Sequence, residues 1–154
     1  MEETMGKICV FFGHRFVPEP EKIKQKLKAV VRDLIQEGTD TFWLGGYGEF
    51  DALAEDVVRE LKADFPHIKK VLALAYLPQN KEDYQYKSQF YDDLFYPEGV
   101  KIGPKKFAIS RRNKYMAENA DYIVAYLNTE SGGAFYAVQI ARKLNKKMII
   151  LNTN

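Results

Sequence analysis

Two glycine clusters lie where an apolar run gives way to a helical pattern, and both have the residue types that receive a phosphate. In the first, Phe42-Trp43-Leu44 breaks at Gly45-Gly46-Tyr47-Gly48, and Glu49, Phe50 and Asp51 open a helix. In the second, Tyr122 to Leu127 runs into Glu130-Ser131-Gly132-Gly133-Ala134, and a helix follows again. A glycine turn between strand and helix lets a ligand come close to the backbone. It also aims the first unpaired N–H groups of the helix, and the positive end of its dipole, at an anion.

Other residues belong with these clusters. Gly13-His14-Arg15 directly follows the first apolar run, and Arg111-Arg112-Asn113 lies in a later helix. Arg112 is the expected phosphate contact, because a guanidinium fork matches phosphate oxygens. His14 and Arg15 read equally well as ligands or as polar loop residues. Asp51, Glu49 and Glu130 are the carboxylates close enough in sequence for acid–base work, while Asp51 reads also as a contact to backbone at its own helix start. With two histidines and one cysteine, no metal-ligand cluster can be assembled, and neither metal nor cofactor is expected.

The elements that must position these groups alternate. Ile8–Phe12 is a continuous apolar run, as for a parallel strand buried on both faces. A helix introduced by Pro18 and Pro20 carries Ile23, Leu27, Val30, Val31, Leu34 and Ile35 in one stripe and stops at Gly38. Strand Thr41–Leu44 precedes a helix bearing Phe50, Leu53, Ala54, Val57, Val58 and Leu61, which ends before Pro66. Strand Val71–Tyr76 closes at Pro78. The tyrosine-rich stretch from Gln79 to Pro104 contains a short helix over Lys81–Asp93 and a brief strand at Leu94–Tyr96; its tyrosines read either as packing residues or as a lid that stacks on a base. Helix Lys105–Asn119, strand Tyr122–Leu127, helix Gly133–Asn145 and strand Met148–Leu151 complete the chain.

This alternation predicts one α/β domain over residues 1–154: a Rossmann-like, doubly wound, mostly parallel sheet of five to six strands with helices on both faces. In such a sheet the ligand lies at the carboxyl ends of the strands, where their order reverses. If the first strand is central and the Tyr122 strand lies across that point, His14, Arg15, Gly45–Glu49 and Ser131–Ala134 share one rim.

Composition narrows the function further. The formal charge of the 154-residue chain is only +2, with lysines spread over helix faces, so neither nucleic acid nor membrane is expected as a partner. No apolar run has the length of a membrane span, and Met1–Lys7 is polar, unlike a signal peptide. The single cysteine, Cys9, sits inside the first strand as inert core, and a cytoplasmic location is expected.

At these residues the chain resembles the SLOG superfamily, which includes the lonely-guy (LOG) nucleotide hydrolases, and within it the YpsA-like group. The resemblance rests on Gly45 to Ala54, Lys62 to Ile68, Pro78-Gln79, Arg112 to Met116, Ala120-Asp121 and Ser131 to Ala134, in order over nearly the whole chain. It implies a Rossmann-like nucleotide-binding domain that pairs as a homodimer through helices. Laid over the lonely-guy motif, the arginine falls on Arg112, the lysine on Asn113 and the double glycine on Gly132 and Gly133. Its third glycine falls on Phe135, its threonine on Tyr136 and its essential glutamate on Gln139. Cutting an N-glycosidic bond needs a carboxylate, and an amide does not replace it. The expectation is therefore a binding module or sensor for a nucleotide or nucleotide-derived ligand. The alternative is an N-glycosidase whose carboxylate has moved to Asp51, Glu49 or Glu130.

Overall fold

The computed structural model describes residues 6–152, so most of the polar stretch read at Met1–Lys7 lies outside it. Six strands form one parallel sheet: β1 (Lys7–Gly13), β2 (Thr39–Leu44), β3 (Lys69–Ala73), β4 (Asp93–Phe95), β5 (Tyr122–Tyr126) and β6 (Lys147–Leu151). Their order is β4-β3-β2-β1-β5-β6, with every neighbouring pair parallel. Five α-helices connect them: α1 (Pro20–Gln36), α2 (Gly48–Asp64), α3 (Lys81–Ser88), α4 (Ala108–Asn119) and α5 (Gly133–Lys143).

Side-chain alternation along the central strands explains the double winding. Cys9 and Phe11 of β1, with Val124 and Tyr126 of β5, pack in one core with the apolar stripes of α1 and α2. Val10 and Phe12, with Ile123 and Ala125, pack in a second core with α4 and α5. Each face removes its side chains from water, at about 1.5–3 kcal/mol for a large aliphatic or aromatic residue. A continuous apolar run with no polar alternation is what two buried faces require.

Element ends differ from the sequence expectation where the partner strand decides them. β2 begins two residues early because Thr39 pairs with Lys7, and its polar start gave no apolar signal. β3 ends at Ala73 rather than Tyr76 because β4 offers only three residues to pair with. α3 stops at Ser88, since the chain must straighten into β4 by Asp93. A turn of 3-10 helix at Lys105–Phe107 precedes α4, which therefore starts at Ala108. α5 ends at Lys143, two residues early. Asn145 adopts φ 57° and the Lys146 N–H donates to the Ala141 carbonyl at 3.1 Å, a left-handed helix stop.

Sheet order reverses between β1 and β5, so the loops leaving these two strands diverge to opposite faces and open a crevice at their carboxyl ends. Among the described residues, no helix is long and apolar enough to cross a membrane.

Candidate functional site

A cleft of about 250 Å³ occupies that crevice. The loop after β1 contributes Gly13, His14 and Arg15, and the loop after β5 contributes Gly132, Gly133 and Ala134. The start of α2 adds Tyr47 and Asp51, while α4 adds Ile109, Arg112 and Asn113.

The β5–α5 side is open backbone. Gly132 is the N-cap of α5, has φ 91° and makes no side-chain cap. Tyr136 is the first residue of the helix whose N–H is paired, to the Gly132 carbonyl at 3.1 Å; the N–H groups of Gly133, Ala134 and Phe135 have no partner among the described residues. A Cβ built on Gly132 or Gly133 would meet no atom within 4 Å. Two of these donors, on Gly133 and Ala134, and the positive helix end thus border the cleft, the condition under which an anion binds well.

The α2 side is occupied by the protein itself. The Glu49 N–H donates to the Arg15 carbonyl at 2.8 Å, and the Glu49 carboxylate accepts the Val17 N–H at 2.6 Å. The Tyr47 N–H donates to Asp51 Oδ2 at 2.9 Å. The Gly45–Glu49 turn therefore clamps the loop after β1 in place. Gly45 and Gly46 line a neighbouring cleft, shared only at Tyr47, while Gly48 and Glu49 line neither.

Arg112 is nearly fully buried, at 3% exposure. Its Nη1 donates to the carbonyls of Gly45 at 2.8 Å and Ala73 at 3.5 Å, and its Nη2 to Asn113 Oδ1 at 3.0 Å. The guanidinium ties the ends of β2 and β3 together and lies 5.6 Å from the centre of the Tyr47 ring. A Cβ on Gly45 would sit 2.7 Å from Nη2, so only glycine lets the arginine in. Burial lowers the Arg112 pKa, an effect that Asp51 partly opposes. Instead of a free phosphate fork, the structure presents a pinned charge at the cleft wall.

Asp51 is the one of the three candidate carboxylates that lines the cleft. Burial pushes its pKa up from 3.8 to about 6, against the Tyr47 N–H and the charge of Arg112, which both favour ionisation. A carboxyl poised near neutrality suits proton transfer. Glu49 is engaged with Val17, and Glu130 lines a separate depression with Asn128 and Arg142. Ser131 lies outside the cleft lining, its carbonyl accepting from Thr129 Oγ1 at 3.4 Å.

His14 Nε2 is buried without a hydrogen-bond partner, its ring lies edge-on to Tyr126 at 5.9 Å, and burial lowers its pKa. The Arg15 side chain is exposed and free of ion pairs among the described residues. Gln139 is half-buried on α5 and absent from the cleft lining. Among the described residues no group of three metal-ligating side chains comes together. Sequence reasoning did not name Phe11, Phe12 or Ile109 as lining residues, and placed Tyr47 on the rim only as part of the Gly45–Glu49 turn.

Comparison with known proteins agrees with this architecture. The YpsA family model, described as the YspA SLOG family, matches residues 8–152. The chain is similar to the uncharacterised SPbeta prophage-derived protein YoqJ of Bacillus subtilis, at 29% identity over 145 residues, covering 82% of this chain and 84% of that protein. It is also similar to the UPF0398 protein BH1768 of Halalkalibacterium halodurans, at 24% identity over 128 residues, covering 79% and 68%. Two solved structures share the fold. DNA processing protein A of Helicobacter pylori, described for its single-stranded DNA binding mode, gives TM-score 0.65 at 14% identity and covers 97% of this chain. DNA processing protein A of Streptococcus pneumoniae gives TM-score 0.68 at 12% identity and covers 94%. This chain spans 66% and 50% of those two solved chains, respectively.

Proposed function

The chain belongs to the YpsA-type SLOG family, and on that premise we propose that it binds a nucleotide or another phosphate-bearing nucleotide derivative in the switch-point cleft, as a binding module or sensor. The observation that carries this reading is the start of α5. Gly133 and Ala134, whose N–H groups have no partner among the described residues, border the same cleft as Arg15, which makes no ion pair there, and the unpartnered Nε2 of His14. A phosphate there takes its bonds from Gly133 and Ala134, with the exposed Arg15 as the counter-charge. Arg112 acts from behind, holding Tyr47 and the Gly45 turn.

Asp51 favours a second reading. A carboxyl in the cleft with a pKa near 6 has the properties of a general acid or base, which an N-glycosidase of the lonely-guy type needs. Titration of the protein with ribonucleoside 5′-monophosphates, by calorimetry and by assay for released base, separates the two. Binding without base release supports the binding module. Release that is lost in Asp51→Asn supports the enzyme, and failure to bind any nucleotide refutes both.

Nucleic acid is the less favoured ligand, because the formal charge is only +2 and the DNA-processing neighbours share no more than 14% identity with this chain. A single-stranded oligonucleotide belongs in the same titration, and tighter binding of it than of any mononucleotide overturns this preference. A homodimer paired through helices is part of the proposal, and light scattering that finds only monomer at high concentration refutes that part.

A further inference from the structure

The switch-point cleft, at about 250 Å³, is smaller than the roughly 300–1,000 Å³ of sites that enclose a whole ligand. It accommodates a phosphate and a sugar and leaves the rest of a nucleotide to be housed elsewhere. A second cleft of about 460 Å³ opens beside it, and Tyr47 lines both. Gly45 joins them too, since it lines the second cleft while its carbonyl holds Arg112 of the first.

The second cleft has an apolar floor and aromatic sides. Leu72 and Leu74 are 5% and 8% exposed, and Tyr76 stands beside them. The Tyr76 hydroxyl donates to the Lys105 carbonyl at 3.2 Å, and its ring packs on the small cluster of Ala75, Val100 and Ala108, which fixes its position. Tyr47 is 45% exposed and has the Arg112 guanidinium against its ring. A half-exposed ring held by a cation is a prepared stacking surface. The Gln79 side chain and Lys105 on the lining add donors and an acceptor, while Asp83 is held in place by Lys87 Nζ at 2.8 and 2.9 Å and by the Gln79 N–H at 3.1 Å. An acyl chain has no use for that polar edge, whereas a planar heterocycle uses both the rings and the edge.

We infer that this second cleft, between Tyr47 and Tyr76, is a subsite for a nucleobase-like heteroaromatic group attached to the phosphate-bearing part of the ligand. The inference rests on the phosphate reading of the first cleft. Tyr76, at the end of the third apolar run, forms the far wall of the base seat with Gln79 and Asp83, while the tyrosines from Tyr84 to Tyr96 lie outside its lining.

The test compares ribose 5-phosphate, adenosine and the four ribonucleoside 5′-monophosphates by calorimetry on the wild type, Tyr76→Ala and Leu77→Glu. Leu77 lines the cleft and is 63% exposed, so its substitution guards against a Tyr76 variant that fails to fold. At least one monophosphate is expected to bind about tenfold or more tightly than ribose 5-phosphate, the usual size of a base-stacking contribution. Both variants should lose that gain while ribose 5-phosphate binds as before. Equal affinity for ribose 5-phosphate and every monophosphate overturns the subsite and leaves the phosphate reading intact. Binding of adenosine without ribose 5-phosphate, lost in both variants, supports the subsite and removes the phosphate reading. If none of the probes binds, both fall.

Discussion

Replacing Asp51 by asparagine should make the protein more stable at neutral pH. The carboxyl is 9% exposed, and burial raises its pKa from 3.8 to about 6 although it accepts the Tyr47 N–H and lies in the field of Arg112. Between about pH 4 and 6 the folded chain keeps a proton here that the unfolded chain has released. Stability therefore falls as pH rises through this window, and the contribution is fully present only below the unfolded pKa. Two units at about 1.4 kcal/mol each give about 3 kcal/mol as the cost of ionising Asp51 in place. Asparagine keeps an oxygen for the Tyr47 N–H and has no charge to desolvate. Urea unfolding of both proteins from pH 4 to 7.5 reads the difference, with contributions from other groups cancelling. The advantage of Asp51→Asn over wild type should grow by about 2–3 kcal/mol across that range. A difference that stays flat, or that turns against the variant as pH rises, refutes the assignment of Asp51 as a buried carboxyl held ionised at a cost.

Four other outcomes follow from the same geometry. Arg112→Ala removes a charged donor from the Gly45 and Ala73 carbonyls and should lower stability by about 2–4 kcal/mol in urea unfolding, so any binding loss must be measured on folded protein. Gly45→Ala forces a Cβ to within 2.7 Å of the guanidinium and should cost about 1–3 kcal/mol, while Gly133→Ala, with no atom within 4 Å, should change stability by less than about 0.5 kcal/mol yet weaken nucleoside monophosphate binding several-fold. Gln139→Glu should leave base release at the wild-type level, because this side chain does not line the cleft; a rise on that substitution, read by chromatography of the free base, contradicts the placement.

The sheet was legible because its central strands are buried twice, and Ile8–Phe12 and Tyr122–Leu127 show it as uninterrupted apolar runs. Edges were less legible. β4 is three residues long, and its existence depends on β3 and on Asp92, which accepts the Lys70 N–H at 2.8 Å and the Lys62 ammonium at 2.5 Å. No local pattern encodes that. At the site, the glycine pair before α5 and the residues after β1 could be read from type and spacing. The two glycine clusters looked alike in sequence and differ in the structure, because the Arg15 carbonyl caps the helix at one and, among the described residues, no group caps it at the other. That distinction is tertiary. Arg112 was found by motif, but its burial against Gly45 required the packed strands on either side.

The most direct test of the phosphate site is a titration with ribose 5-phosphate followed by backbone amide NMR. A phosphate seated at the start of α5 should shift the Gly133 and Ala134 amide resonances most strongly, with Gly13 to Arg15 responding next and the lysine-rich face of α1 staying silent. Shifts confined to the helix lysines, or centred on Gly46 to Gly48 with the Gly133 and Ala134 amides unmoved, would contradict the account.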